Sequence, residues 1–413
     1  MKDPQKEIAH LRRILDVARF MAVQNDLDLL LATIVEATCE VLECERATIF
    51  LYDREGDQLY SRVAKGVDDI RFPADRGIAG AAARGRACVN VPDAYADERF
   101  NREVDKRTGF TTRNLLAFPL ENLQGELIGV LQALNKRAGP FDADDEGLAR
   151  VLSAQAGVAL ARGRVIEEFA EKQRIQRDLD LARSIQQALL PRDTPRFPGY
   201  EVTGWNRSAD ATGGDCYDFI PLADGRLAML LADATGHGIG AALVIAEARS
   251  LVRAMLRITD DLGRIVREVN DLLCDDLKDN CFVTAFIGLL DPARHRVDYV
   301  SAGQGPLLLL HGGEVVTRGA SWLPLAVMRE GLFETERFDL PPRSTLVLLT
   351  DGFYECMNDL DEVLGQERIV ELIQSSSTAP LADTLARVCE AVDRFSAGRP
   401  QADDLTAILI RRA

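Results

Sequence analysis

The chain has 413 residues, of which 47% are hydrophobic and 28% charged, and its formal net charge at pH 7 is -16. This length predicts two globular domains, because a single hydrophobic core usually stops growing sooner. The acidic balance excludes broad attraction to nucleic acid or an anionic membrane, and no apolar run approaches the ~18 residues of a membrane span, so we expect a cytoplasmic protein that binds neither.

The first predicted elements are a helix within residues 1–28 and a mixed domain over residues 29–162. The helix shows one apolar stripe between Ile8 and Phe20. In the mixed domain, residues 47–66 are typical of a hairpin that turns at Glu55-Gly56, and residues 126–136 of a buried strand. The pattern therefore predicts an α+β fold here.

A long helix comes next, rich in Ala, Glu, Arg, Leu and Gln, and Pro191 ends it. Its part between residues 163 and 190 is the predicted linker. The apolar residues there are spaced for a short coiled coil between two copies of the chain, and a solvated connector explains so few repeats equally well. These residues are Val165, Phe169, Ile175, Leu179, Leu181 and Ile185.

Residues 191–413 alternate between strand and helix patterns and predict a second α+β domain. Helices are predicted at residues 239–257, 260–277 and 366–396. Four short motifs place carboxylates beside glycine at the ends of apolar strands: GGDCYDF (213–219), LLADATGHG (230–238), LLTDGFYE (348–355) and ADDLTAIL (402–409). Carboxylates gathered at one edge repel one another unless cations neutralise them. The pattern therefore predicts two divalent ions, Mg²⁺ or Mn²⁺, and hydrolysis of a phosphate ester.

The order GGD, D-x-x-GHG, TDG and DD-x-T resembles the metal-dependent protein phosphatases of the PPM type, in their SpoIIE-like branch. The resemblance implies a β-sandwich flanked by helices, with two metal ions at one edge. It also implies that Asp404 replaces Asp403 if the register is off by one, and that Asp218 binds a further metal or supports the ligands. The implied ligands and catalytic residues are Asp215, Asp233, the Ala234 carbonyl, Asp351 and Asp403.

Two further sites lie within or near these motifs, at His237 and at residues 301–304. His237 lies between glycines and is more often a hydrogen-bonded turn residue than a general acid. Where relatives show Asn-Ala-Gly-His before proline, this chain has Ser301-Ala302-Gly303-Gln304. The departure leaves the principal acids intact, so we expect hydrolysis to survive it.

Residues 29–162 resemble a GAF domain of the cyclic-nucleotide-binding kind, on the stretches 76–120 and 125–146. In such relatives Lys136 and Asp145 form an ion pair that braces the pocket. A bilin is disfavoured, because Cys88 lacks an adjacent histidine. The resemblance implies contacts to cAMP or cGMP from Thr48, Ile78, Ala79, Asp105, Thr108, Thr112 and Gln132.

Together these features predict a homodimeric serine/threonine phosphatase governed by a ligand in the GAF domain. Its expected substrate is a phosphorylated regulatory protein, such as an anti-sigma-factor antagonist. One alternative is a catalytically weak scaffold that binds a phosphoprotein, and another is a nucleotide-sensing dimerisation module with incidental hydrolysis. The scaffold is disfavoured because all four principal aspartates are present.

Overall fold

The computed structural model of the chain describes residues 4–62, 70–278 and 280–413. The chain divides into two compact units, Met1–Arg174 and Ile175–Ala413. Within the described ranges, no helix is both long and apolar enough to cross a bilayer. The finer domain boundaries at residues 28, 162 and 190 stay predictions.

The first unit is a six-stranded antiparallel sheet with helices on both faces. The strand order is β3-β2-β1-β6-β5-β4. Helices α1, α2 and the start of α5 pack on one face, and α3 packs on the other. The elements are α1 (Pro4–Val23), α2 (Leu27–Val41), β1 (Cys44–Asp53), β2 (Gln58–Tyr60), β3 (Arg71–Pro73), α3 (Gly77–Gly85), β4 (Val89–Val91), α4 (Arg102–Thr108), β5 (Leu115–Glu121), β6 (Leu127–Lys136) and α5 (Ala143–Leu189).

Local sequence signals explain where several of these elements begin and end. Asp26 starts α2, because its side chain accepts hydrogen bonds from the backbone N–H groups of Asp28 and Leu29. The predicted hairpin forms between β1 and β2, where Asp53 pairs with Gln58. Helix α5 is 47 residues long and ends just before Pro191.

The second unit is a sandwich of two five-stranded sheets. The orders are β14-β11-β10-β9-β8 and β13-β12-β15-β16-β7. The elements are β7 (Tyr200–Arg207), β8 (Asp215–Pro221), β9 (Leu227–Ala234), α6 (Ile239–Met255), α7 (Leu262–Asp276), β10 (Val283–Asp291), β11 (Arg296–Ala302), β12 (Leu307–His311), β13 (Glu314–Arg318), β14 (Glu336–Asp339), β15 (Thr345–Leu349), α8 (Gln366–Ser375), α9 (Leu381–Ser396) and β16 (Leu405–Arg412).

Three apolar layers hold the sandwich together. One lies between the sheets, a second lies under α6 and α7, and a third lies under α8 and α9. This arrangement confirms the predicted α+β class and the helix-flanked sandwich. The single helix predicted over residues 366–396 is two helices, because Pro380 has no N–H to continue a helix and instead precedes α9.

Candidate functional site

Two of the predicted aspartates face each other across adjacent strands. Asp215 opens β8 and pairs in register with Asp233 near the end of β9. Directly opposite residues of an antiparallel pair have their Cβ atoms about 4.5–5.5 Å apart. The β8–β9 hairpin therefore brings two carboxylates together at one edge of the sandwich.

Two threonines from the other sheet fix the Asp215 side chain. The Thr350 hydroxyl donates to Asp215 Oδ2 at 2.8 Å, and the Thr406 N–H donates to Thr350 Oγ1 at 2.9 Å. Sequence reasoning did not assign these residues, although both lie inside the TDG and DD-x-T motifs. The hydrogen bond between Thr406 and Thr350 therefore joins the DD-x-T motif to the TDG motif, directly beside Asp351.

The carboxylates at this edge raise the pKa of one another. Burial raises the pKa of Asp215 well above its usual range, and the charge of Asp233 adds to the rise. Burial, followed by the charges of Asp351 and Asp403, raises the pKa of Asp233 to about 7. Burial is also the largest cause of the raised pKa values of Asp351 and Asp403. The four predicted ligands thus form one electrostatically coupled group.

Asp403 and Asp404, which the sequence left as alternatives, differ in their surroundings. Asp404 is buried, and its carboxylate accepts hydrogen bonds from the N–H groups of Ala209 (2.7 Å) and Asp215 (3.2 Å). Asp403 is solvent-exposed at the rim of this edge, where the surrounding protein removes only part of its hydration, and its Oδ1 accepts a hydrogen bond from the Asp404 N–H at 2.8 Å. The Asp404 carboxylate therefore holds the loop before β8 in place through these hydrogen bonds.

Asp218 lies on the opposite face of β8 from Asp215. Its Oδ2 lies 3.0 Å from Arg249 Nε and 2.9 Å from Arg253 Nη1, both on α6. Its Oδ1 accepts a hydrogen bond from the Phe219 N–H. This carboxylate joins β8 to α6 through a buried ion pair with Arg249 and a partly exposed one with Arg253.

The Ala234 carbonyl is approached closely by the GGD motif. The Ala234 N–H donates to Gly214 O at 2.9 Å, and a Cβ added at Gly214 would lie 2.6 Å from Ala234 O. A Cβ at Gly213 would lie 2.2 Å from Asp404 Oδ2. Side chains at these glycines would push apart the segments that carry the acids, so the close backbone approach requires glycine at both positions.

In the first unit, four predicted nucleotide contacts gather on one face of the sheet. Thr48 pairs with Gln132 in register, and alternation puts both on the face of β1 and β6 that packs against α3. Ile78 and Ala79, near the start of α3, are buried in that same apolar cluster.

Two further predicted contacts, Asp105 and Thr112, bind each other. The Thr112 hydroxyl donates to Asp105 Oδ1 at 2.8 Å, and its N–H donates to Oδ2 at 2.7 Å. The Tyr95 hydroxyl donates to the same Oδ2 at 3.2 Å. The side chain of Thr108 lies outside the described residues. The nucleotide contacts stay predictions.

Two regions of the chain match the models of known protein families. Residues 223–413 match the model of the Stage II sporulation protein E family, and residues 26–160 match the GAF domain model. The structure of the SiaA-PP2C domain of Pseudomonas aeruginosa superposes with a TM-score of 0.53 at 23% identity, covering 59% of this chain and 98% of that one. That likeness concerns the fold.

The chain carries a GAF domain followed by a SpoIIE-family domain.

Curated relatives match only parts of their own length. A probable 3',5'-cyclic phosphodiesterase of Caenorhabditis elegans is 31% identical over 189 residues, which are 41% of this chain and 26% of the relative. Protein IcfG of Synechocystis is 26% identical over 263 residues, 57% of this chain and 41% of the relative. The chain thus spans less than half of each.

In the SpoIIE-family domain, Gln304, which stands where relatives show histidine, is buried and makes structural hydrogen bonds. Thr284 Oγ1 donates to Gln304 Oε1 at 3.0 Å, and Gln304 Nε2 donates to Leu349 O at 3.0 Å. Thr284 pairs with Asp233, and Leu349 precedes the TDG motif. Gln304 therefore joins the two sheets beside the acids. His237, by contrast, is exposed, and its Nδ1 lies 2.8 Å from Asp210 Oδ2.

The donor chemistry of the acidic edge fits a hard divalent cation. Carboxylate and carbonyl oxygens are the ligands that Mg²⁺ and Mn²⁺ prefer, and a cation would offset the burial and the like charges that raise the pKa values of Asp215 and Asp233. Across residues 4–62, 70–278 and 280–413, no group of three or more His, Cys, Asp or Glu side chains is already close enough to hold a metal. The fit rests on the donors and their coupling, and the ligand assignments stay predictions.

The raised pKa of Asp233 predicts how pH changes the stability of metal-stripped protein. Its folded pKa of about 7 exceeds the unfolded value of about 4, so the folded state binds more protons in this window. The free energy of unfolding should therefore fall as pH rises from about 4 to 7. Urea titrations at several pH values should show this loss, and Asp233→Asn should reduce it. An unchanged pH dependence in that variant would contradict the assignment.

Proposed function

We propose that the SpoIIE-family domain is a metal-dependent protein serine/threonine phosphatase. The observation that carries the proposal is the Asp215–Asp233 pair, whose pKa values rise through burial and through the neighbouring charges. Such a site needs cations to be stable when ionised. The match to the SpoIIE family supports the same chemistry.

Each residue of the edge has a proposed task. Asp215 and Asp233 would hold both ions, with the Ala234 carbonyl, and Asp351 and Asp403 would complete the second ion's ligands. We favour Asp403 over Asp404, because the Asp404 carboxylate already accepts two backbone hydrogen bonds. Thr350 orients Asp215 through its hydroxyl. When bound, the ions would supply Lewis-acid stabilisation of charge on the phosphoryl group.

The substrate we propose is phosphoserine or phosphothreonine on a regulatory protein, such as an anti-sigma-factor antagonist. The ligand we propose for the GAF domain is cAMP or cGMP, supported by the relative named as a cyclic phosphodiesterase and by the residues gathered under α3. The linker part of α5 carries exposed apolar side chains, among them Phe169 and Leu181, which would pair two copies into a homodimer in the cytoplasm. Regulation requires that the ligand distinguish two arrangements of the chain.

The metal requirement can be tested with purified, metal-stripped protein. We expect no hydrolysis of p-nitrophenyl phosphate or a phosphoserine protein until Mn²⁺ or Mg²⁺ is added, because the acids alone hold no phosphate. Turnover that survives chelation would contradict the metal mechanism. Failure on both substrates with every metal would favour the phosphoprotein-binding scaffold instead.

The nucleotide requirement needs a separate measurement. Calorimetry with cAMP and cGMP should show binding of one of them to the full chain, and the same nucleotide should change the rate of phosphate release. Binding without a change in rate would remove the regulatory coupling. No binding of either nucleotide would contradict the cyclic-nucleotide proposal and leave the phosphatase proposal standing.

A further inference from the structure

The last turn of α5 contacts the GGD motif through one side chain. Gln186 Nε2 donates to the Gly213 carbonyl oxygen at 2.6 Å, and the Gly213 N–H donates to Gln186 Oε1 at 3.0 Å. A primary amide that uses both its donor and its acceptor on one residue fixes the orientation of that residue's backbone. We call this pair of hydrogen bonds the Gln186 bracket.

The bracketed glycine lies against the residues that carry the proposed ligands. Gly213 packs on Asp404, whose Oδ2 accepts the Asp215 N–H at 3.2 Å. The next residue, Gly214, accepts the Ala234 N–H at 2.9 Å. A rotation of the Gly213 backbone would therefore move Asp215, which lies two residues further along the chain, and Ala234, whose N–H donates to the adjacent Gly214.

The bracket can open without disturbing the core. Gln186 borders a cavity of about 150 Å³, so its side chain has room to leave Gly213. Leu190, just beyond the end of α5, packs on two of the hydrophobic clusters and holds the helix end. The cavity is lined by Arg183, Gln186, Gln187, Leu190, Asn206, Arg207 and Ser208.

We propose that Gln186 is a positioning residue for the metal centre, which it acts on through Gly213. The inference rests on the proposed phosphatase function and names the contact through which α5 controls it. Because α5 begins at Ala143, in the GAF domain's half of the chain, a turn or shift of this helix reaches the GGD motif at Gln186. The bracket holds the ligand geometry when closed and releases it when open.

The test compares Gln186→Met with Gln187→Met in the full-length protein. Methionine keeps the length and helix propensity of glutamine and removes both hydrogen bonds. Gln187 is the matched control, because it lines the same cavity on the same turn. In metal-stripped protein, hydrogen exchange of residues 209–216 should rise about tenfold in Gln186→Met, since the Gly213 N–H loses its acceptor.

Calorimetry with Mn²⁺ supplies the second measurement. We expect about tenfold weaker binding in Gln186→Met, the loss that one or two hydrogen bonds would cause, and a higher Mn²⁺ concentration for half-maximal turnover. Gln187→Met should match the wild type in exchange and affinity. Thermal unfolding checks that both variants fold.

The outcomes separate this inference from the phosphatase proposal. Wild-type exchange and Mn²⁺ affinity in Gln186→Met would overturn the positioning role, whatever the enzyme hydrolyses. Equal effects of both substitutions would also overturn it, because they would reflect the helix end in general. If the wild type binds Mn²⁺ but hydrolyses no phosphoester, the proposed function fails, and the exchange and affinity comparison still decides the role of Gln186.

Discussion

Asp233→Asn is expected to lower phosphatase turnover by about a thousandfold or more while leaving the fold intact. Asparagine keeps the shape of the side chain but removes the charge opposite Asp215. A metal ion contributes several kcal/mol to phosphoryl-transfer catalysis, and about 1.4 kcal/mol is a factor of ten in rate. Steady-state hydrolysis across a Mn²⁺ series, with calorimetric Mn²⁺ affinity, measures the effect.

The matched control is Asp224→Asn, at the other end of the same hairpin. Asp224 lies in the turn between β8 and β9 and pairs with Arg226 at the surface. Surface ion pairs contribute about 0–1 kcal/mol, so turnover and metal affinity should stay at the wild-type level. If Asp233→Asn turned over as fast as this control, Asp233 would not belong to the metal centre.

Asp145→Ala is expected to destabilise the GAF domain by about 3–5 kcal/mol and to weaken nucleotide binding more than basal phosphatase activity. Asp145 accepts a hydrogen bond from Lys136 Nζ and another from the Asp142 N–H at 2.8 Å. The side chains of Lys136 and Asp145 are only 14% and 8% exposed. Removing the carboxylate leaves a nearly buried ammonium without its main partner.

Arg54→Ala supplies the comparison for that loss. Arg54 and Glu126 form an ion pair in the same domain, but their side chains are 84% and 56% exposed. Its removal should change the free energy of unfolding by about 1 kcal/mol or less. Denaturant unfolding and calorimetry with cAMP or cGMP test both variants. Equal stability and equal affinity in Asp145→Ala and Arg54→Ala would show that the buried pair has no bracing role.

Much of the architecture could be predicted from local pattern. The apolar runs of β6 and β9 and the length of α5 follow from the hydrophobic pattern, and Pro191 marks where α5 has stopped. One misjudged element, the helix over residues 366–396, divides before Pro380. Periodicity continued through that break, because α8 and α9 each turn an apolar face to the same sheet.

The acidic motifs were also visible in the sequence, but the structural role of each carboxylate was not. Asp403 and Asp404 are neighbours in the chain, yet Asp403 is exposed, whereas the Asp404 carboxylate accepts hydrogen bonds from the N–H groups of Ala209 and Asp215. Asp218 carries the same charge and pairs with arginines of α6. Their partners lie on other elements, so motif spacing could not separate them.

The sequence by itself determined the two kinds of domain, the long helix between them and the positions of the four acidic motifs, because periodicity and short motifs are local properties of the chain. The tertiary structure decided which groups those aspartates face. The Thr350 hydroxyl on Asp215 and the Gln186 bracket on Gly213 join residues 135 and 27 positions apart. Such contacts arise only when sheets and helices pack, since hydrogen bonds at about 3 Å depend on where the fold brings side chains together.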